Sequence, residues 1–220
     1  MCDIDSERQR KSLSPLVGER WERGGDGMIT RTDFEAISHW IKPASSVLDL
    51  GCGDGELLVY LEQSRHITGY GIENDDAGIL QCINNGVNVI QSNLESGLKE
   101  VNDAAFDYVI LSQTLQAMKR TEAVIDEMLR VGTEAIVSFP NFGYWRHRWQ
   151  IINGRMPVSD ALPFEWHNTP NVHMCTVADF DAFCARKKLR VLNRLVMNGE
   201  REQTLLPNLM GTLALYRLAK

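Results

Sequence analysis

Val47-Leu48-Asp49-Leu50-Gly51-Cys52-Gly53-Asp54-Gly55 is an apolar run that leads directly into a glycine-dense turn. The residues that follow, from Glu56 to Gln63, have helical character, so the stretch has the order strand, turn, helix. That order is typical of the first crossover unit of an α/β sheet. Glycines permit positive φ angles and the close approach of a ligand to the backbone. Because ligands bind beyond the carboxyl ends of parallel strands, the turn is predicted to bind a nucleotide-like ligand.

The rest of the chain continues the alternation of short apolar runs and helical segments. The pattern predicts helices at 76–84 and 122–131, and strands at 67–73, 87–90, 106–111 and 135–139, with closing strands at 189–197 and 212–218. Strands joined by helices form crossover units, and crossover units build parallel sheets. We therefore expect an α/β protein with a Rossmann-like, doubly wound, mostly parallel sheet of seven strands.

Two segments depart from this rhythm. Residues 1–28 show no sustained hydrophobic period, which predicts a flexible N-terminal arm. Residues 141–175 are rich in aromatic residues and proline, and an insertion late in an α/β domain favours a lid-like role. The expected organisation is an arm followed by one domain over 29–220 that carries this insertion.

Composition excludes several classes of protein. The 220 residues carry a formal charge of −6, the wrong sign for a chain that neutralises phosphates, so neither nucleic acid nor an anionic membrane is expected as a partner. The five cysteines never form a C-x-x-C pair, so no metal site and no disulfide framework are implied. No apolar stretch reaches the length of a membrane span and no targeting segment is evident, which favours the cytoplasm.

The spacing of the glycines distinguishes between nucleotide ligands. Gly51, Gly53 and Gly55 form G-x-G-x-G, whereas the dinucleotide fingerprint needs its third glycine where Glu56 stands, so NAD is disfavoured. Asp49 and Asp54 flank the turn and would repel a pyrophosphate, but they suit a ligand that carries an ammonium and a sulfonium. Glu73, about 20 residues after the loop, is placed to accept hydrogen bonds from both ribose hydroxyls.

The motif D-x-G-x-G-x-G, followed by an acid at the end of the second strand, resembles the class I S-adenosylmethionine (SAM)-dependent methyltransferases. The resemblance implies SAM or S-adenosylhomocysteine as cofactor, with the methionine part in the glycine turn and the ribose on Glu73. The adenine would meet Asn93 and Leu94, where the family usually carries an aspartate, and the fourth-strand end would form the wall at which methyl transfer occurs. The implied cofactor-binding residues are Asp49, Gly51, Cys52, Gly53, Gly55, Glu73, Asn93, Leu94, Ser112 and Gln113.

Longer motifs beyond residue 106 narrow the resemblance. FDYVILSQTLQA (106–117), EMLRVG (127–132), VSFPNFG (137–143), GRMPV (154–158) and TPNVH (169–173) resemble the MetW family of methionine biosynthesis proteins. That resemblance implies action together with homoserine O-acyltransferase (MetX), which performs the acylation step toward methionine. No methyl acceptor is implied by it.

Two roles therefore remain open, a non-catalytic activator of the acyltransferase and a genuine methyltransferase acting on a small-molecule acceptor. Tyr144, His147 and His173 lie in the insertion and are candidate catalytic residues, but the sequence favours a structural role for each because none has a partner at fixed spacing. Trp145 and Trp149 share a helical face, which suits packing or a protein interface.

Overall fold

An eight-stranded mixed sheet with helices on both faces forms the domain. The computed structural model describes residues 32–220, so the predicted arm at 1–28 lies outside the described residues. The strands are β1 Ser46–Leu50, β2 Thr68–Glu73, β3 Asn88–Gln91, β4 Phe106–Ser112, β5 Gly132–Pro140, β6 Arg190–Asn198, β7 Arg201–Glu202 and β8 Leu213–Ala219. The helices are α1 Thr32–Trp40, α2 Glu56–Arg65, α3 Asp76–Asn84, α4 Thr121–Val131, α5 Trp145–Ile152, α6 Val177–Lys187 and α7 Pro207–Met210.

The order of the strands places the glycine turn at a switch point. The order is β3-β2-β1-β4-β5-β8-β6-β7, and the pairs from β3 to β5 are parallel. From β1 the chain adds β2 and β3 on one side of the sheet, and it then adds β4 and β5 on the other side. This reversal of strand order opens a crevice at the carboxyl ends of β1 and β4. The predicted doubly wound α/β fold is confirmed. The sheet has eight strands rather than seven because the two-residue β7 pairs with β6 in a terminal hairpin.

Central strands are buried on both faces, which explains their uninterrupted apolar character. On β1, Leu48 and Leu50 belong to the core that packs against α4, whereas Val47 belongs to the opposite core, which α1 and α2 cover. Each such side chain that is removed fully from water contributes about 1.5–3 kcal/mol to folding. Helices therefore cover both faces of the sheet, and the ends of the strands are the part of the sheet that a ligand can reach.

Amphipathic helices cover one face of the sheet through well-defined ends. α4 buries Val124, Ile125 and Met128 on one stripe and ends where Gly132 starts β5. At the start of α6, the Thr176 side chain accepts from the Asp179 N–H, and the Asp179 carboxylate accepts from the Thr176 N–H, so the two residues form a capping box.

The insertion folds back against the end of β4. After α5 the chain is irregular up to residue 175 and forms one isolated bridge between Ser159 and Leu162. The N–H groups of Val172 and His173 both donate to the Gln116 carbonyl, at 2.8 and 3.0 Å. These bonds hold the far end of the insertion over the carboxyl edge of the sheet, and its lid-like motion stays a prediction. No helix within residues 32–220 combines the length and apolarity needed to cross a bilayer.

Candidate functional site

The glycine turn has a backbone that only glycine adopts without strain. Gly51, Gly53 and Gly55 have φ angles of +70°, +59° and +80°. A Cβ on Gly51 would lie 3.1 Å from Thr114 Cγ2, and one on Gly55 would lie 2.9 Å from Val87 Cγ2. The left-handed φ angles disfavour any L side chain, and the close neighbours leave little space for one. The glycines that the sequence singles out are therefore required by the shape of the turn.

Backbone donors of the turn are engaged inside the protein. The N–H groups of Gly51 and Cys52 donate to the Ile72 carbonyl on β2, at 2.7 and 3.2 Å. The Gly53 N–H donates to Glu73 Oε2 at 2.8 Å. A phosphate-binding turn presents such N–H groups to its ligand. The N–H groups of Gly51, Cys52 and Gly53 are not available in this way, which agrees with the sequence argument against a dinucleotide.

Glu73 connects the turn to the end of β2. It is 6% exposed, and its Oε1 accepts from the N–H groups of Asn74 and Asp75 at 2.7 and 2.9 Å. A carboxylate has roughly four acceptor sites, and three of them are occupied by backbone donors, including that of Gly53. One site on Oε2 is left for a ligand. The sequence predicts two ribose hydroxyls here, and the structure shows that Glu73 also fixes the shape of the turn.

The side chain of Cys52 points into the core between the turn and α3. Its Sγ lies 3.6 Å from Cys82 Sγ, and Cys82 Sγ donates in turn to the Gly53 carbonyl at 3.1 Å. A Cβ on Gly71 would collide with Cys52 Sγ, so Gly71 makes room for the thiol. The hydrogen bond to Cys82 and burial raise the pKa of Cys52, which keeps it a neutral thiol. Only the backbone of Cys52 faces the turn.

The segment after β3 carries the predicted adenine contacts. Asn93 Oδ1 accepts from the Glu95 N–H at 2.9 Å and thereby caps the short 3₁₀ turn Leu94–Ser96. A pocket of about 210 Å³ opens beside this turn, and Leu50, Leu94 and Val124 are among its lining residues. The Asn93 amide is exposed and keeps a second acceptor site for a ligand.

A polar cluster lies at the carboxyl ends of β4 and β5. Asp33 Oδ2 accepts from Ser112 Oγ at 3.2 Å and from Gln113 Nε2 at 2.9 Å. Ser112 Oγ also lies 3.1 Å from Ser138 Oγ, and Gln113 has a φ angle of +52°. Sequence reasoning missed Asp33, which is 2% exposed on α1. Its partners are about 80 residues away, so no local pattern could have indicated the contact.

The three candidate catalytic residues of the insertion occupy two environments. Tyr144 and His147 are buried with ring centroids 5.5 Å apart, and His147 Nε2 forms a 2.8 Å hydrogen bond with Ser159 Oγ. His173 is exposed, and its Nε2 lies 3.3 Å from the Lys119 carbonyl oxygen. The structure thus brings Tyr144 and His147 together and places His173 elsewhere, so their catalytic role stays a prediction.

Burial of His147 predicts a dependence of stability on pH. Because the side chain is 0% exposed, desolvation lowers its pKa below the usual 6.5. Below that pH the unfolded chain binds a proton that the folded protein does not, so the free energy of unfolding decreases as the pH falls toward the lowered pKa. Above pH 6.5 the contribution is complete. We expect His147→Gln to flatten this slope in urea denaturation measured between pH 7.5 and about 5.

The control for this experiment is His66→Asn, which changes an exposed histidine with a φ angle of +55° to a residue that tolerates that backbone. The slope of the His66→Asn variant is expected to match that of the unchanged protein. Identical slopes for the His147→Gln variant and the unchanged protein would show that His147 does not produce the acid sensitivity.

Among residues 32–220, no group of three or more His, Cys, Asp or Glu side chains is arranged to hold a metal ion. The charged side chains at the end of β1, in the glycine turn and at the first position of α2 are all carboxylates, those of Asp49, Asp54 and Glu56.

Solved structures share this fold at low sequence identity. A SAM-dependent methyltransferase from Mesorhizobium loti has a TM-score of 0.63 at 13% identity, over 88% of this chain and 100% of that one. One from Archaeoglobus fulgidus has a TM-score of 0.62 at 15% identity, over 86% and 91%. These likenesses establish the class I methyltransferase fold and nothing finer.

Comparison with known sequences identifies the family of this chain. The model of the methionine biosynthesis protein MetW matches residues 31–218. The bifunctional methionine biosynthesis protein MetXA/MetW of Rhodopirellula baltica is 41% identical over 157 residues, which are 67% of this chain and 25% of that protein. The chain thus spans about a quarter of the length of this relative. A match over nearly the whole described domain shows that the chain belongs to the MetW family of methionine biosynthesis proteins.

Proposed function

We propose that this protein binds SAM and acts with a homoserine O-acyltransferase, whose activity it raises. One observation carries the proposal: the relative from Rhodopirellula baltica is a bifunctional protein whose name combines MetXA and MetW. Two parts that are fused in one protein remain at high effective concentration, which is useful when they act in contact. We infer that the same two parts form a complex here.

SAM binding is supported by the fold and by the chemistry of the glycine turn. Asp49 and Asp54 bring negative charge to the turn, which favours a ligand with a sulfonium and an ammonium. No donor from residues 32–220 bonds to the Gly51 carbonyl, which can therefore accept from the ammonium. The free acceptor site on Glu73 suits one ribose hydroxyl. Leu94 lines the neighbouring pocket, where the adenine would lie, and Asn93 beside it would accept from the adenine amino group.

The exposed face of α5 is the surface that we assign to the acyltransferase. Trp145, Trp149 and Ile152 lie at i, i+4 and i+7, so they share one helix face, and all three are exposed. Residues 141–159 contain three arginines and no acidic residue, although the chain as a whole is acidic. Tryptophan and arginine are the residues that dominate interface energetics. The expected partner surface is apolar at its centre and acidic at its rim.

Regulation by SAM follows as the second part of the proposal. A complex that responds to the cofactor requires that SAM binding change the affinity or activity of the partner. Thr114 lies between the glycine turn and the insertion. Its Cγ2 methyl is 3.1 Å from the position that a Cβ on Gly51 would take, and the insertion is hydrogen-bonded to the Gln116 carbonyl, two residues further along the chain. The cofactor would then report the supply of the downstream product.

The decisive experiment measures homoserine acylation by the acyltransferase of the same organism. The rate is compared with and without this chain, and with and without SAM. A rate that rises only when the chain is present supports the partner role, and a further change with SAM supports regulation. An unchanged rate under all four conditions would remove the partner role.

The fold likeness to solved SAM-dependent methyltransferases favours one second candidate, methyl transfer to a small-molecule acceptor. When bound, SAM supplies a methyl group on a sulfonium, and the protein's task is to hold an acceptor in line with it. The polar cluster of Asp33, Ser112 and Gln113 lies at the strand end where such an acceptor would be oriented. Formation of S-adenosylhomocysteine with a defined acceptor is the test that separates this candidate from an activator.

A further inference from the structure

A second pocket, separate from the glycine turn, lies between the end of β5 and the irregular part of the insertion. Its volume is about 40 Å³, and its apolar walls include Pro140, Phe142, Met156, Leu162 and Phe164. A water-sized group needs roughly 10–15 Å³ on the same measure, so the pocket has room for about three or four non-hydrogen atoms. Only a small ligand, or the end of a larger one, fits this space.

Gln116 supplies a buried acceptor in this pocket. The residue is 4% exposed, and no donor within residues 32–220 reaches its Oε1 atom. The orientation of the amide is set by its other end, because Nε2 donates to the Gln113 carbonyl at 2.7 Å. If the amide were flipped, Oε1 would face the Gln113 carbonyl oxygen, and two acceptors would be in contact. The unsatisfied oxygen is therefore held in position by the fold.

Asn171 brings a second amide oxygen to the same pocket. Its Oδ1 atom is also buried without a donor among the described residues, and the residue lines the same pocket as Gln116. The Asn171 N–H donates to Thr169 Oγ1 at 3.1 Å, and the next two N–H groups along the chain bind the Gln116 carbonyl. Backbone hydrogen bonds therefore hold the segment of Asn171 next to Gln116, and each of the two residues brings an unsatisfied oxygen. A buried oxygen without a donor raises the free energy of the folded protein unless a ligand supplies the donor.

The charges around the pocket select a cation. Of its lining residues, Glu165 carries a negative charge, and none is a lysine or an arginine. The Cys175 thiol is neutral, because burial raises its pKa to about 12. The ring of His173 is oriented by the contact of its Nε2 with the Lys119 carbonyl oxygen. Phe142, Phe164 and Trp166 add aromatic rings, whose faces attract cations.

We propose that this pocket binds a small protonated amine, whose ammonium donates to Gln116 Oε1 and Asn171 Oδ1. An ammonium has three donors and no acceptor, which matches two amide oxygens in a pocket that a carboxylate also lines. A free α-amino acid is disfavoured as the ligand, since no lysine or arginine among the lining residues would pair with its carboxylate. The inference does not depend on the acyltransferase as partner.

The test is a titration of the full-length protein, without SAM, by isothermal calorimetry and by heteronuclear NMR. The probes are n-propylammonium, the neutral 1-propanol, the anionic acetate and the zwitterionic glycine, which are similar in size. Propylammonium is expected to bind about tenfold more tightly than 1-propanol, since hydrogen bonds to a charged group are the stronger ones. Acetate and glycine are expected to give no saturable signal.

Two variants act in opposite directions. Gln116→Met keeps the size of the side chain but removes the acceptor, and it is expected to lower the affinity for propylammonium about tenfold. Asn171→Asp adds a negative charge at the second acceptor and is expected to raise that affinity about tenfold without strengthening the binding of 1-propanol. The control Gln81→Met, on the exposed side of α3, is expected to change neither.

The proposal is overturned by equal binding of propylammonium and 1-propanol, or by the absence of any saturable binding, which would mean that water alone satisfies the two oxygens. An unchanged affinity in both Gln116→Met and Asn171→Asp would overturn it as well. If Gln116→Met fails to fold, Asn171→Asp still decides the outcome.

Discussion

Replacement of Gly53 by arginine is expected to lower the affinity for SAM by about 100-fold or more. Gly53 stands at the centre of the turn with a φ angle of +59°, and both its backbone polar groups are bonded, to Glu73 and to Cys82. An arginine there places a bulky cation where the acidic residues would attract a cationic ligand. A 100-fold loss corresponds to about 2.7 kcal/mol, which is of the order expected when like charges meet in a binding site.

Gly199→Arg is the matched control for this variant. Gly199 has nearly the same φ angle, +57°, and no atom lies within 4 Å of its would-be Cβ. Both substitutions therefore carry a similar backbone strain of about 1–2 kcal/mol, but only one is in the turn. Calorimetric titration with SAM and thermal denaturation of both variants measure the two effects separately. A Gly53→Arg variant that is folded and binds SAM normally would show that the turn is not the cofactor site.

Trp149→Glu is expected to weaken the complex with the acyltransferase by about 30-fold and to abolish the rise in acylation rate. Trp149 is 61% exposed in the middle of the basic, apolar face of α5. The substitution removes a large aromatic contact and places a negative charge against the apolar centre of the expected partner surface, where it loses its hydration without gaining a partner. Loss of a central tryptophan from an interface typically costs 2 kcal/mol or more.

Leu80→Glu provides the control for the interface. Leu80 is 62% exposed on α3, so it matches Trp149 in exposure and gains the same charge on a different face of the protein. Sedimentation velocity with the purified acyltransferase measures complex formation, and SAM titration verifies that both variants keep their fold. If Leu80→Glu disrupts the complex and Trp149→Glu does not, the interface lies on α3. If the unchanged protein forms no complex, the proposed partner role itself fails.

The parts of the fold that the sequence predicts well are those that local patterns specify. The helix predicted at 76–84 has those bounds in the structure, and the helix predicted at 122–131 begins one residue earlier. The central strands β1 and β4 are recognisable because burial on both faces makes them continuous apolar runs. The glycine turn was recognisable because three left-handed residues in five leave glycine as the only residue without strain.

What the sequence did not reveal depends on contacts between distant residues. The two-residue β7 has no apolar pattern and exists because a hairpin returns against β6. Asp33 is joined to Ser112 and Gln113 only by the packing of α1 over the end of β4. The ten proposed cofactor residues stay a prediction, to which the structure adds that Glu73 fixes the turn and that the thiol of Cys52 points away from it.

The internal hydrogen bonds of the turn have a consequence for the energetics of ligand capture. Since Gly51, Cys52 and Gly53 are already bonded to β2, the backbone has lost its freedom before any ligand arrives. A preorganised loop does not consume interaction energy in ordering itself, so most of the contact energy is available as affinity. At the proposed SAM site, the turn can therefore hold the methionine part of the cofactor with few contacts, and it returns to the same shape when the ligand leaves.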